Sequence, residues 1–361
     1  MKQLRLKLNH GKTRRKNEIG CLSESYERSE HMTTLPKLWK FSTLPAPALE
    51  NILTIHVMKE DPSNLFNNFL KDESIARTEQ ISWCTESYAH LGEGFQFNSK
   101  ITTKDLKEGV IKPRVEKTKE EQKNRVKAKA EVFTPMWVCN LQNNLADNEI
   151  KEELFNTISE DLKTWEPTIS PIVWPENYSP SDYLLERRLE IACGEAPYLM
   201  SQYDATSGEY FTVRNSNNRF QRVGLLDRKF RVINENSKDL NEWLSLSDIA
   251  MKTIYGFEWQ GDNLILARLN FINTFFDYLQ DFIINKKLPS LSKERLDELA
   301  IYVSEIASWQ LWQMDGLKQI TPESCSTRCD SCKKRLSFNH DGVKPVLRWG
   351  NEIKIFEDFL K

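Results

Sequence analysis

The chain has 361 residues, of which 39% are hydrophobic, and its 50 Lys and Arg nearly balance 52 Asp and Glu for a formal net charge of -2. That length allows two domains and a sizeable core, and the balance excludes a chain that is basic over its whole surface while leaving room for a local basic face. No apolar run approaches the roughly 18 residues a membrane crossing needs, residues 1–16 are too charged for the centre of a signal peptide, and the seven cysteines fit reduced thiols; a cytoplasmic protein with no membrane partner is expected.

Residues 1–31 are rich in Lys, Arg, Asn, Glu and Ser with little apolar period, and read as a flexible basic arm that is either a solvated tail or a contact to DNA phosphates. Residues 32–103 read as a small α+β region, with a strand at Ile52–Met58, a helix beginning near Pro62, and Trp39, Phe41, Leu65, Phe69 and Leu70 among its core candidates. His56, His90 and Cys84 stand alone there and receive no role. Residues 104–130 form a charged, helix-favouring connector with twice as many basic as acidic residues. Such a run is either the solvated face of a helix or part of a DNA cleft.

Ala130-Glu131-Val132-Phe133-Thr134-Pro135 follows, and Trp137–Asn144 reads as a helix starting after Pro135. Leu154–Trp165 is amphipathic, and the four prolines between Glu166 and Pro180 mark a loop. Leu189–Leu199 is an apolar run that breaks at a small-residue turn and carries Glu190, Cys193 and Gly194. Tyr203–Gln221 is turn-rich and suits a hairpin. Ile254–Glu258 is a second apolar run ending in an acid, followed by helical spacing through Leu264, Ala267, Phe271, Phe275, Leu279 and Phe282. A third run, Ile306–Leu317, reads as a strand ending at Asp315. Acids at three strand ends converge on the sheet edge where open α/β folds bind ligands.

Taken together, Glu190, Cys193, Gly194, Glu258, Asp315 and Leu317, with the upstream Phe133-Thr134-Pro135, make residues 131–317 resemble the S-adenosylmethionine-dependent adenine-specific DNA methyltransferases of bacterial restriction and modification systems. The resemblance implies a Rossmann-like methyltransferase sheet with helices on both faces, preceded by the small α+β region and followed by a short Cys-containing tail. It implies Glu258 on the ribose, Asp315 on the adenine amine and Glu190 under the methionine end. Phe133, Thr134 and Pro135 would lie against the aliphatic part of the cofactor.

Two departures qualify the resemblance. Glu195-Ala196-Pro197 replaces the family's usual Ser-Gly, setting a second carboxylate beside Glu190 in a loop that must admit a carboxylate-bearing ligand. The Asn-Pro-Pro-Tyr motif that binds the target amine, with its aromatic stacked on a flipped base, occurs nowhere in the chain. The expected function is therefore a cofactor-binding subunit of a DNA adenine-N6 methyltransferase in restriction-modification or phage defence, with DNA and a second, catalytic subunit as partners. The alternative is a catalytically inactive methyltransferase fold serving as a DNA-binding or protein-interaction scaffold.

In residues 318–361, Cys325, Cys329, Cys332 and His340 offer three thiolates and an imidazole. They are either a structural zinc staple, closed to catalysis by its four protein ligands, or free thiols in a loop.

Overall fold

The computed structural model describes residues 63–73, 79–129, 133–317, 320–322, 346–349 and 352–355. The basic arm, the predicted strand at Ile52–Met58 and the cluster of Cys325, Cys329, Cys332 and His340 lie outside the described residues.

Helix α1 (Ser63–Leu70) forms where the sequence anticipates one, burying Leu65, Phe66, Phe69 and Leu70 on a single face. A short antiparallel pair, β1 (Lys71–Asp72) and β2 (Glu79–Gln80), follows. Helix α2 (Thr103–Lys107) starts on a capping box between Thr102 and Asp105. Helix α3 (Lys119–Lys129) starts on reciprocal bonds between Thr118 and Glu121. Helix α4 (Met136–Asp147) begins directly after Pro135. The amphipathic Leu154–Trp165 is a hairpin, in which β3 (Asn156–Ile158) pairs antiparallel with β4 (Trp165–Pro167). Its turn is held by the Ser159, Asp161 and Thr164 side chains, which hydrogen-bond locally and so compete with a helix.

The remaining elements alternate. Helix α5 (Pro180–Leu185) precedes β5 (Arg188–Ile191); helices α6 (Leu225–Asn236) and α7 (Leu240–Met251) lead to β6 (Ile254–Glu258); helices α8 (Gly261–Asn285) and α9 (Lys293–Gln310) lead to β7 (Leu311–Gln313). The three strands form a parallel sheet in the order β5-β6-β7, with Glu190 beside Gly256 and Glu258 beside Gln313. Parallel neighbours require crossovers, and the helix pairs supply them. An antiparallel hairpin of β8 (Val346–Trp349) and β9 (Glu352–Ile355) completes the described elements.

Alternation divides the sheet's two faces. Ile254 and Leu311 enter the large core with α6 to α9, a core that also takes in Leu65, Phe69, Ile81, Trp83 and Leu106. Tyr255, Phe257, Trp312 and Met314 form a separate buried cluster on the other face, where the Tyr255 and Trp312 rings stack at 5.8 Å. Gly256 is required in the middle strand because a Cβ there would meet the Leu311 side chain at 2.7 Å and the Cys193 sulfur at 3.1 Å.

The third run departs from expectation. Residues 306–310 are the end of α9, and the strand occupies only Leu311–Gln313. Leu296, Leu299, Val303, Ile306 and Ala307 keep helical spacing into the core, so the apolar stripe carries the helix up to the strand. The buried guanidinium of Arg268 fixes this junction by donating to the carbonyls of Ser308 and Leu311 and, across the core, to those of Phe69 and Lys71.

Among the described residues, no helix is long and apolar enough to cross a membrane.

Candidate functional site

The chain leaves β5 through a strained turn. Ala192, Gly194 and Ala196 have φ of 57°, 59° and 61°. Glycine adopts this region freely, but each alanine costs roughly 1 kcal/mol or more, so neighbouring contacts must hold the turn in place. Those contacts come from β6: the Cys193 N–H donates to the Phe257 carbonyl at 2.9 Å, and the Gly194 N–H donates to Glu258 Oε2 at 2.8 Å. Glu258 Oε1 accepts the N–H of Gln260 at 2.8 Å. One carboxylate at the end of the second strand thus binds both the first and the second loop.

Glu190 lies beside this junction. Its Oε2 is buried and has no hydrogen-bond partner. Burial, and then the charge of Glu258, push its carboxyl well above the ordinary 4.5, while the Tyr198 and Leu199 amides pull the other way. The neighbouring thiols respond to the same field. Burial first, and Glu190 second, raise both Cys193 and Cys139, so both stay protonated and are poor nucleophiles.

Glu195 does not crowd Glu190. Its buried side chain is held elsewhere, with Oε1 accepting the Arg114 N–H at 2.8 Å and Oε2 accepting the Tyr203 hydroxyl at 2.5 Å. The Asn270 amide of α8 donates to the Glu195 carbonyl and to the Tyr203 oxygen.

Phe133, Thr134 and Pro135 lead into α4, whose Met136 and Cys139 pack with Tyr198 of the turn. Tyr198 is hydrogen-bonded to the Thr134 side chain, and Cys139 of α4 feels the charge of Glu190. Pro135 precedes the first turn of α4, where the Met136 N–H donates to Asp204 Oδ2 at 2.6 Å. Burial raises Asp204, but bonds from Met136, Thr206 and Ser207 outweigh it and hold the carboxyl below its usual range. The Arg114 guanidinium lies 4.2 Å over the Phe133 ring. Asp315 follows the third strand in an irregular turn, with its N–H on the Ile320 carbonyl and its Oδ1 accepting the Leu317 N–H.

The structure therefore brings together Glu190, Cys193, Gly194 and Glu258, with Thr134 joined to the turn through Tyr198. Asp315 stands at the same end of the sheet, next but one after β7, and the Met314 N–H bonds to the Glu258 carbonyl at 3.0 Å. Carboxylates at adjacent strand ends can accept hydroxyls and amines.

Sequence reasoning missed a clasp at the start of α8. Asp262 is fully buried and receives Lys117 at 3.3 Å, Arg125 at 2.8 Å and the Tyr88 hydroxyl at 2.9 Å. Burial opposes its charge, but Lys117 and Arg125 overcome it and hold the carboxyl far below the ordinary range. Two cations of the basic connector are thus committed to a structural carboxylate. The only sequence signal is an acid in the first turn of a helix, which favours the N-terminal dipole but names no partner.

Among the described residues, no group of three or more His, Cys, Asp or Glu is arranged to hold a metal ion. No protein-family model matches the chain, and it matches no curated protein and no solved structure.

Proposed function

We propose that the chain is the S-adenosylmethionine-binding subunit of a DNA adenine-N6 methyltransferase of a restriction-modification or phage-defence system, with the catalytic motif supplied by a second subunit. The observation that carries this reading is the bond from the Gly194 N–H to Glu258 at 2.8 Å, which joins the turn after the first strand to the acid ending the second. The Glu190 carboxylate lies alongside.

A carboxylate offers about four lone-pair sites, and the amides of Gly194 and Gln260 use one on each oxygen of Glu258. In this reading ribose hydroxyls would donate to the same carboxylate. Glu190 matches a cationic amine, and Phe133 flanks an aliphatic chain. When bound, the cofactor supplies an electrophilic methyl group on a sulfonium. The residues of this chain would hold and orient it, and the partner would present the adenine amine.

Calorimetric titration of the full chain with S-adenosylmethionine tests the proposal, using Glu258→Ala as the comparison. Micromolar binding that the substitution abolishes supports it. Absence of binding by the wild type sinks the cofactor-binding reading and leaves the scaffold.

The scaffold reading is favoured by one specific observation, the lack of any Asn-Pro-Pro-Tyr in the sequence. DNA or protein binding indifferent to S-adenosylmethionine would support it.

A further inference from the structure

We infer that the outer edge of β5 is an interaction surface on which a second copy of this chain docks by antiparallel strand pairing about a two-fold axis. The backbone at that edge motivates it, whatever the adjoining loop binds. The Arg188 N–H donates to the Thr253 carbonyl at 2.9 Å, and the register sets Arg188 beside Ile254 and Glu190 beside Gly256. Arg188 and Glu190 thus address β6, and the N–H and carbonyl groups of Leu189 and Ile191 point away from it. Among the described residues nothing bonds to these groups. Leu189 and Ile191 are half-buried, and Arg187 and Ala192 on either side are exposed.

The opposite edge of the sheet is built differently. The bond from the Met314 N–H to the Glu258 carbonyl turns the backbone groups of Leu311 and Gln313 in β7 outward. There the Arg268 guanidinium donates to the Leu311 carbonyl, and the Gln313 side chain accepts the Ser82 N–H at 2.9 Å and donates to the Ser82 carbonyl at 2.6 Å, much as a neighbouring strand would. An open strand edge is a template for another strand, and β5 carries neither a proline nor a lysine to blunt it. With one edge closed, each copy of the sheet offers a single open edge, so pairing stops at a dimer instead of growing into a filament.

The sequence of β5 suits its own copy. Antiparallel pairing centred on Glu190 sets Leu189 against the copy's Ile191 and Ile191 against the copy's Leu189, and every open N–H then meets an open carbonyl. Both pairs are apolar and extend the buried cluster of Tyr255, Phe257, Trp312 and Met314, against which Leu189 and Ile191 already pack. On the other face each Glu190 stands opposite its equivalent, an arrangement that like charges would oppose. Burial already holds this carboxyl toward its protonated form, so the two do not meet as bare charges. The left-handed backbone of Ala192, with φ of 57°, ends the pairing at the turn.

Sedimentation of the full chain over a range of protein concentrations tests the inference, with amide hydrogen exchange locating the contact. A monomer–dimer equilibrium with a dissociation constant of about 1–100 µM is expected of so small a contact. Protection of the Leu189 and Ile191 amides should rise with concentration, while those of Arg188 and Glu190, bonded within the sheet, stay protected throughout. Leu189→Pro removes an outward N–H and leaves the ladder between β5 and β6 intact. It is expected to weaken association about tenfold to a hundredfold, because the two-fold axis repeats each lost bond. Leu189→Val keeps the N–H and should associate like the wild type. A chain that stays monomeric at every concentration overturns the inference, and so does a dimer whose Leu189 and Ile191 amides exchange alike at all concentrations. Should Leu189→Pro fail to fold, exchange in the wild type still decides.

Discussion

The Gly194 N–H donates to Glu258 Oε2 at 2.8 Å, across 64 residues of sequence. A single acid therefore sets the spacing between the two loops of the candidate site. Replacing it by alanine orphans the amides of both Gly194 and Gln260, and each bond to a charged acceptor contributes about 1.5–3 kcal/mol. Glu258→Ala is expected to lower the unfolding free energy by about 3–6 kcal/mol in urea titrations. Glu258→Gln, which keeps one carbonyl acceptor, should lose less. Equal losses would show that charge, rather than the acceptor, matters.

Glu190 predicts a pH dependence. Its folded-state carboxyl lies above the ordinary 4.5, so protonation favours the folded chain. That contribution is fully present below 4.5 and disappears as pH climbs through the raised folded value. Asp227, which burial pushes up to about 6 against the pull of Arg222, acts in the same direction. The informative quantity is thus the difference between wild type and Glu190→Gln. In urea unfolding from pH 5 to pH 8, the variant should gain on the wild type as pH rises. A constant difference would exclude a buried charge at Glu190.

The Asp262 clasp predicts the opposite slope. A depressed carboxyl stabilises the fold above its ordinary 3.8, and that stabilisation is lost as pH falls through the lower folded value. Asp262→Asn leaves Lys117 and Arg125 buried without their counter-charge, a change that costs about 3–5 kcal/mol when one partner of a buried pair is removed. Thermal melts at neutral pH should show a large drop, and added salt should recover little of it because the pair is shielded from solvent.

Arg268 predicts a loss of docking. Burial pulls its guanidinium down to about 10, against Asp72 and Glu73, yet it serves four carbonyls from two distant parts of the chain. Arg268→Met keeps the bulk and removes the donors, at an expected cost of about 3 kcal/mol or more because the carbonyls stay buried. Hydrogen exchange should report increased opening in Ser63–Asp72 ahead of the sheet. Uniform acceleration over the whole chain would argue against a local role.

How far the sequence foretells all this depends on the range of the interactions. The strand Ile254–Glu258 and the helix after it are legible because their signals, an apolar run and a repeat of 3.6, are local. The same repeat conceals the third strand: the stripe through Ile306 and Ala307 belongs to a helix whose last residue, Gln310, directly precedes a strand of only three residues. At the candidate site, acids at the ends of the first two strands are legible, and so is the helix that begins after Pro135. Arg114 and Asp262 are not. Their roles come from partners 81 and 137 residues away, Glu195 and Arg125, which no spacing rule connects. Glu195 shows the same limit. In sequence it is a second acid beside Glu190; in space Tyr203 and Arg114 turn it away.

The docking of α1 has a consequence for biosynthesis. The Asn68 side chain reaches the carbonyl of Ile301, 233 residues later, and the apolar face of the helix rests on α9. A ribosome adding about 5–20 residues per second needs roughly 10–50 s to make that stretch. For that interval Leu65, Phe66, Phe69 and Leu70 have been made and their dock has not, so the nascent chain carries an uncovered apolar face until α9 follows.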